Sequence, residues 1–387
     1  MLVDRVCIIT NYNLYESKRY FSQKFGEALK RKGIETFLID AEERTLGADV
    51  IGAIQAFKPS LTCSFNSLLP ISERRYLWDF LEIPHISFLV DPALYSVDLT
   101  RSPYSILTCV DRSDLEAIQS YQFENIFFWP HAIERDLLAD FDNERTYEVV
   151  FFGSCYDYES LRVSWRQQNP ELLNKVLDDA IDLVFSDPKM SLAQALVTAW
   201  NATGLNPEGI DFTTLFYYLD NYTRGRDRVE LISSIHDAKV HVFGELSRDN
   251  AVGVLGWSQY LAKKNNVVLH PSVTYKEHLT ILKQAKVTLN SMPFFKEGSH
   301  ERVLNGLACG AVPVTTENQF FRETFIDGQD LFYYFMNRKD EVDAKVQLLL
   351  RDEPQRRQIA RQGKEKVMKS FTWDHRVDEL LKNVDPL

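Results

Sequence analysis

Long apolar runs are missing from this 387-residue chain. No stretch approaches the roughly 18 uncharged apolar residues of a membrane-spanning helix. The opening residues, MLVDRVCIIT, show neither the basic start nor the apolar core of a secretory leader. Cysteine is scarce as well: Cys7, Cys63, Cys109, Cys155 and Cys309 form no C-x-x-C and leave an odd one over. That spacing excludes a zinc ribbon and a disulfide framework, and the expected location is a reducing cytoplasm. Only 16 Gly and 14 Pro are present, too few for a collagen-like or linker-dominated chain. Neither G-x-x-x-x-G-K-[ST] nor G-x-G-x-x-G occurs, which argues against a P-loop NTPase and an NAD dehydrogenase. Clustered Cys/His and H-x-x-x-H spacings are also absent, so no metal is expected. Positive charge is in deficit, with 44 Lys and Arg against 55 Asp and Glu for a net charge of -11. Such a chain has no overall grip on nucleic acid or an anionic membrane, and any anion must be held locally. What the chain has in plenty is aromatic residues: 25 Phe, 17 Tyr and 6 Trp. Large rings suit cores first and sugar or base stacking second.

Strand-like and helix-like periods alternate along the first third. Arg5–Thr10, Glu35–Asp40, Leu61–Phe65, His85–Val90, Ser105–Val110 and Asn125–Trp129 read as short β runs, and Ser17–Lys32 as an amphipathic helix stopped by Gly33. This alternation predicts a parallel sheet covered on both faces, the doubly wound α/β class. A polar stretch, Glu134–Tyr147, precedes a new strand at Glu148–Gly153 and marks the expected domain boundary. About 159–234 reads as helices without a strand, a helical insertion. Alternation then returns at Lys239–Gly244, Asn266–Leu269, Lys286–Ser291, Ala311–Thr316 and Leu331–Tyr334, and helices close the chain. The expected organisation is two Rossmann-like domains facing a cleft, 1–145 and 146–370, with 371–387 as a last helix crossing back to the first. Ligands of such sheets bind outside the carboxyl ends of the strands.

The most informative segment is KVTLNSMPFFKEGSHERVLNGLACGAVPVTT, Lys286 to Thr316. It reads strand, loop, helix, strand. Ser299 suits the N-cap of a helix from about His300 to Cys309, with Gly310 just past its end. The amides of Gly298, Ser299 and His300, with the Arg302 cation, form a natural site for a phosphate or diphosphate. Glu297 and Asn305 are placed to hydrogen-bond sugar hydroxyls.

This segment resembles the donor-binding signature of GT-B glycosyltransferases, in which a Glu, seven residues and a second Glu precede an A-C-G-x-P-V-like turn. Glu297 matches the first Glu, and Asn305 stands where the second is usual. The wording HERVLNGLACGA is closer still to the CgeB-like branch of bacterial glycosyltransferases. EVVFFGS and the closing FTWDHRVDELL extend the likeness more weakly. The resemblance implies that Glu297 lies near the donor sugar, that Asn305 takes the ribose contact, and that Arg302 neutralises the diphosphate. It implies further donor contacts from Arg248, after the Lys239–Gly244 strand, and from His270 near the nucleobase. The expected co-substrate is a nucleotide diphosphate sugar, UDP-linked foremost, and no separate cofactor is expected.

Other candidates carry open alternatives. Asp91 ends a buried strand and suits a general base, but equally an Asx-turn. His131 ends the last strand of the first half and is a candidate cleft residue. His85 reads as a satisfied core histidine. Asn11 follows the first strand and could bind a substrate or form a turn. Tyr12, Tyr15, Phe294 and Phe295 remain as sugar-stacking candidates. Arg224, Arg226 and Arg228 form the densest basic cluster, read either as an anion contact or, more often, as a solvated helix start. Asp140 and Asp142 form a D-x-D without a preceding apolar strand, read as linker. The reading that fits best is a metal-independent glycosyltransferase of hexosyl or N-acetylhexosaminyl type, acting on an unspecified protein, lipid-linked, polysaccharide or small-molecule hydroxyl. A nucleotide-sugar epimerase of the same architecture and a non-catalytic carbohydrate-binding scaffold are its rivals.

Overall fold

The computed structural model describes residues 3–41, 48–67, 69–72, 75–137, 139, 141, 144–204, 206–245 and 256–384. It divides into two compact units. The first comprises Met1–Leu137, Thr274–Lys276 and Met368–Leu387; the second comprises Leu138–Val273 and Glu277–Val367.

In the first unit β1 (Arg5–Thr10), α1 (Ser17–Arg31), β2 (Glu35–Asp40), α2 (Ala48–Phe57) and β3 (Leu61–Phe65) are followed by a small hairpin, β4 (Pro70–Ser72) with β5 (Arg75–Tyr76). Then come α3 (Leu77–Leu81), β6 (His85–Leu89), a 3-10 segment (Ala93–Arg101), β7 (Ser105–Cys109), α4 (Arg112–Gln119) and β8 (Ile126–Phe128). The main sheet is wholly parallel in the order β2-β1-β3-β6-β7-β8. Its middle strands are buried along their whole length, which is why they read as continuous apolar runs rather than alternating ones. Chain order reverses between β1 and β3, and the carboxyl ends of these strands form the switch point of this sheet.

The second unit opens with β9 (Tyr147–Phe152) and four consecutive helices, α5 (Tyr158–Gln168), α6 (Glu171–Ser186), α7 (Leu192–Asn201) and α8 (Phe212–Ser233). It continues with β10 (Val240–Glu245), α9 (Ser258–Leu261), β11 (Val267–Pro271), α10 (Tyr275–Leu282), β12 (Ala285–Asn290), α11 (Glu301–Cys309), β13 (Val312–Thr316), α12 (Gln319–Arg322) and β14 (Phe332–Tyr334). The chain closes with α13 (Asp340–Arg351), α14 (Glu353–Ser370) and α15 (Trp373–Val384). This sheet too is parallel, in the order β11-β10-β9-β12-β13-β14, with its switch point between β9 and β12.

Helix α15 belongs to the first unit, where it packs on α1. Trp373 enters an aromatic cluster with Phe21, Phe25, Phe65 and Trp129, at centroid separations of 5.7, 6.3, 5.9 and 6.0 Å. The Trp129 indole donates to the Arg376 carbonyl (2.9 Å), and Arg31 grips Asp374 through two bonds of 2.7 Å. Much of the aromatic excess is thus core, where each large ring buries area and its neighbours meet edge to face. All five cysteines are free and buried. Burial pushes the Cys7 and Cys309 thiols up to about 12, so they are apolar filler rather than nucleophiles.

Two buried histidines, one in each unit, are pushed far from their ordinary charge behaviour. His85 lies between Thr62 Oγ1 (2.8 Å) and Ser64 Oγ (3.0 Å) and stacks on Trp78 at 3.9 Å. His278 packs on Phe152 at 4.2 Å. Burial pushes both down to about 3 from an ordinary 6.5. Below pH 6.5 the unfolded chain therefore takes up protons that the folded chain refuses. Stability present above that pH is lost as it falls toward 3, at about 1.4 kcal/mol per pH unit for each histidine. Urea unfolding between pH 7 and pH 5 measures this slope, and His85→Asn is expected to remove the first unit's share. A slope unchanged by the substitution would contradict the neutral assignment.

Candidate functional site

The second unit's switch point is built on glycine. Gly153, with φ 145°, directly follows β9, and Gly244, with φ 147°, is the penultimate residue of β10. A Cβ at Gly244 would stand 2.1 Å from the Gly153 carbonyl oxygen, so only glycine lets the two strand ends meet. Two guanidiniums close on the same point: a Cβ at Gly153 would lie 3.0 Å from Arg302 Nη1 and 3.4 Å from Arg228 Nη1.

Arg302 comes from α11. It donates through Nη1 to the Phe152 carbonyl and through Nη2 to His300 Nε2 at 2.8 Å. A guanidinium can only donate, so His300 Nε2 accepts, while its Nδ1 lies 2.8 Å from Glu301 Oε2. The N-cap of α11 is His300, whose Nδ1 lies 3.3 Å from the Arg302 amide. Ser299, expected as the cap, is instead fully buried one residue earlier. Gly310 ends the helix at φ 77°, the left-handed conformation expected of it.

Arg228 comes from α8, the last helix before β10. It donates to the Ser154 carbonyl (2.7 Å) and lies 4.9 Å over the Tyr156 ring. Gly225 makes this approach possible, since a Cβ there would stand 2.7 Å from the Tyr156 carbonyl oxygen. Arg228 is 3% exposed, and its Nε is buried without a hydrogen-bond partner. One turn earlier Arg224 pairs with Asp220 (2.6 Å) and stacks 3.6 Å over the Phe294 ring. Asp227, between the arginines, is fully buried; its Oδ2 accepts from Ser291 Oγ (2.5 Å) and Tyr334 OH (2.8 Å), and its Oδ1 forms an ion pair with Lys339 Nζ (3.0 Å). It ties α8 to the sheet.

The charge balance of this point is unusual. Among the described residues no carboxylate lies within ion-pair distance of Arg228 or Arg302. Burial first, and then the Arg228 and Arg224 charges, push the Arg302 guanidinium down to about 10 from 12.5, against the pull of Glu301 and Tyr156. Buried cations held by carbonyls at the carboxyl end of a parallel sheet, beside a helix N-terminus, form a place suited to an anion. For the basic run the sequence offered two readings, an anion contact or, more often, a solvated helix start, and the burial of Arg224 and Arg228 overturns the second. The run lies mid-helix in a 22-residue element. Arg224 and Arg228 share a stripe with Leu231 and Ile232 at i, i+4, i+7 and i+8, a period that could have marked them as buried.

The remaining candidates divide between the units. Gly298 is buried, Glu297 half-buried and Asn305 2% exposed, all in the β12–α11 segment. His270 ends β11, stacks on Phe243 at 4.4 Å and bonds His241 (2.9 Å). Arg248 lies outside the described residues, as do Asp140 and Asp142. Phe294 and Phe295 are 6% and 1% exposed and pack on each other at 4.5 Å. With Arg224 on the face of Phe294, they form the floor under the arginines and not a surface for a sugar ring. His131 is 5% exposed and meets Phe21 edge-on, in the core of the first unit rather than at a solvent-reachable position. At that unit's own switch point Asn11 accepts from Lys18 Nζ (3.3 Å) and Ser67 Oγ (3.3 Å), and exposed Asp91 accepts from Asn66 Nδ2 (2.8 Å). Tyr12 is 56% exposed beneath Arg19, and Tyr15 gives its carbonyl to the Tyr275 amide.

Over the full chain, the structure is similar to sucrose-phosphate synthase from Thermosynechococcus elongatus, with a TM-score of 0.57 at 10% identity, covering 99% of this chain and 98% of that one. The fold is that of GT-B glycosyltransferases. HepE from Anabaena, solved with UDP and glucose, matches with a TM-score of 0.57 at 8% identity, covering 99% of this chain and 100% of that one. The DNA-modifying β-glucosyltransferase, solved with and without uridine diphosphoglucose, matches with a TM-score of 0.57 at 12% identity over 98% of this chain and 99% of that one. A family model described as glycosyl transferase-like matches residues 226–382, a span that takes in Arg228, Glu297 and Arg302. No curated protein matches the chain. No helix among the described residues is long and apolar enough to cross a membrane.

Proposed function

We propose that this GT-B protein is a glycosyltransferase that takes a sugar from a nucleotide diphosphate, UDP foremost, and passes it to an acceptor hydroxyl. The observation that carries this reading is the pair of buried guanidiniums at Gly153, without a carboxylate partner among the described residues. A diphosphate leaving group gains negative charge as the sugar's anomeric C–O bond breaks, and fixed cations with helix amides stabilise that charge without reorganising. Arg302 and Arg228 hold the diphosphate, Glu297 faces the sugar, and Asn305 takes the ribose contact. The acceptor oxygen forms the new bond to the anomeric carbon and gives its proton to Asp91. Two guanidiniums supply the charge that a divalent cation supplies in other sugar-nucleotide enzymes, so turnover is expected to persist in EDTA. The CgeB-like wording of the α11 segment supports a bacterial hexosyl or N-acetylhexosaminyl transferase.

A thermal-shift panel of UDP-, GDP-, dTDP- and CMP-sugars tests the reading, with UDP-glucose as its first member. A ligand binding only the folded protein adds about 2.7 kcal/mol at a hundredfold excess over its dissociation constant. UDP-sugars are expected to give the largest shift. A flat panel would contradict the proposal and favour a scaffold without donor binding.

A further inference from the structure

In the first unit, residues from three elements meet around Asn66. Its side-chain amide donates to Asp91 Oδ2 (2.8 Å), and its Oδ1 accepts from the Val90 amide (2.9 Å). Its own backbone amide donates to the Phe88 carbonyl (3.0 Å), and its carbonyl accepts from Lys18 Nζ (3.0 Å). The residue holds φ 44°, a left-handed conformation that asparagine adopts more readily than most side chains. Every polar group of Asn66 is thus committed, and three of the four bonds fix the chain around the one that reaches Asp91. A turn residue alone needs neither the amide aimed at a carboxylate nor the lysine beneath its carbonyl. Burial pushes the Lys18 ammonium down and the Asp91 charge pushes it back up, so cation and carboxylate share one small site.

We propose that Asn66 is the positioning residue of Asp91, holding its carboxylate in the orientation that receives the acceptor's proton. This rests on the assignment of Asp91 as base. The amide N–H binds Oδ2, and the carboxylate is held by a donor instead of turning freely at the surface. A positioned base contributes about 10²–10⁴-fold to turnover, and misplacement of a reacting group by about 1 Å costs on the order of 10²-fold. Lys18 secures the clamp from below through the Asn66 carbonyl, and through Asn11 it joins the β1 end to the same network.

Two substitutions separate positioning from mere structure. Asn66→Asp keeps the shape, tolerates the left-handed backbone and retains the acceptor for Val90, but turns a carboxylate oxygen toward Asp91. Asn66→Gly keeps the backbone and loses the amide. UDP release from UDP-glucose, with water as acceptor, gives kcat and the donor KM, and thermal unfolding reports stability. The expected result is a kcat lowered about tenfold in Asn66→Gly and about a hundredfold in Asn66→Asp, with the donor KM unchanged in both. A purely structural role predicts the reverse order, Asp milder than Gly, with kcat falling in step with stability. That result overturns the proposal, as does a wild-type kcat in Asn66→Asp. Asp91→Asn is measured alongside. If it is inactive while Asn66→Asp keeps full turnover, the clamp alone falls; if Asp91→Asn itself keeps full turnover, the base assignment falls and the clamp with it.

Discussion

Replacing Arg302 with methionine is expected to lower kcat/KM for the sugar nucleotide about 10²–10³-fold and, at the same time, to leave the ligand-free protein as stable as before or more so. The two effects share one cause. Arg302 is buried beside Arg228 with no carboxylate among the described residues in ion-pair reach, and its guanidinium is pushed down to about 10 by that environment. An unmatched buried cation is unfavourable until an anion arrives, and exchanging buried charge for apolar volume is often neutral or stabilising by about 1–4 kcal/mol. Methionine fills comparable space without charge. Arg228→Met is expected to behave alike, because its Nε is buried without a hydrogen-bond partner and its Nη1 binds the Ser154 carbonyl. Initial rates with UDP-glucose and urea unfolding of the ligand-free variants measure both halves. Lost stability together with unchanged rates would mean that the arginines only brace the ends of β9.

Asp227→Ala is expected to destabilise the second unit by about 3–5 kcal/mol, the usual effect of removing one partner from a buried charged network. Asp227 accepts from Ser291 and Tyr334 and pairs in charge with Lys339, drawn from the β12 end, β14 and the turn before α13. Without it the Ser291 and Tyr334 hydroxyls lose their acceptor, and Lys339 retains Glu230 (2.9 Å) as its carboxylate partner. Asp227→Asn keeps the shape and one acceptor oxygen and should cost less. Urea unfolding measures the difference between the two variants. The same substitution frees the α8 segment that carries Arg228, so donor-induced stabilisation is expected to fall with it. A destabilisation below about 1 kcal/mol would place the network among ordinary surface pairs.

Most of the secondary structure was legible because its causes are local. Strands such as Leu61–Phe65 and Val312–Thr316 are apolar along their length, and amphipathic helices such as α1 show their period directly. Strand order was not legible. The first sheet reverses between β1 and β3 and the second between β9 and β12, and nothing in a single strand's sequence encodes its neighbour. Helix α11 was readable from its C-terminal glycine and its apolar stripe, and Arg302 from its place in the first turn. The α8 half of the site was not, because TRGRDR has the composition of a solvated run and only its phase against Leu231 and Ile232 shows burial. Arg228 reaches Gly153 across 75 residues of chain, through a helix-to-loop contact that Gly225 permits. Asn66 was invisible for a related reason: its left-handed turn and its bonds to Lys18 and Asp91 exist only once β1, β3 and β6 lie side by side.

The central claim is that Arg228 and Arg302 together hold a diphosphate at the end of β9. Calorimetric titration of UDP and UMP into the wild-type protein and Arg228→Met tests it most directly. Truncating one partner of a buried charged contact costs about 2–5 kcal/mol, and each 1.4 kcal/mol is about a tenfold change in affinity. The wild type is expected to bind UDP at least about tenfold more tightly than UMP, and Arg228→Met is expected to lose that preference while keeping its affinity for UMP. A variant that binds UDP as tightly as the wild type, with the preference over UMP intact, would contradict the claim.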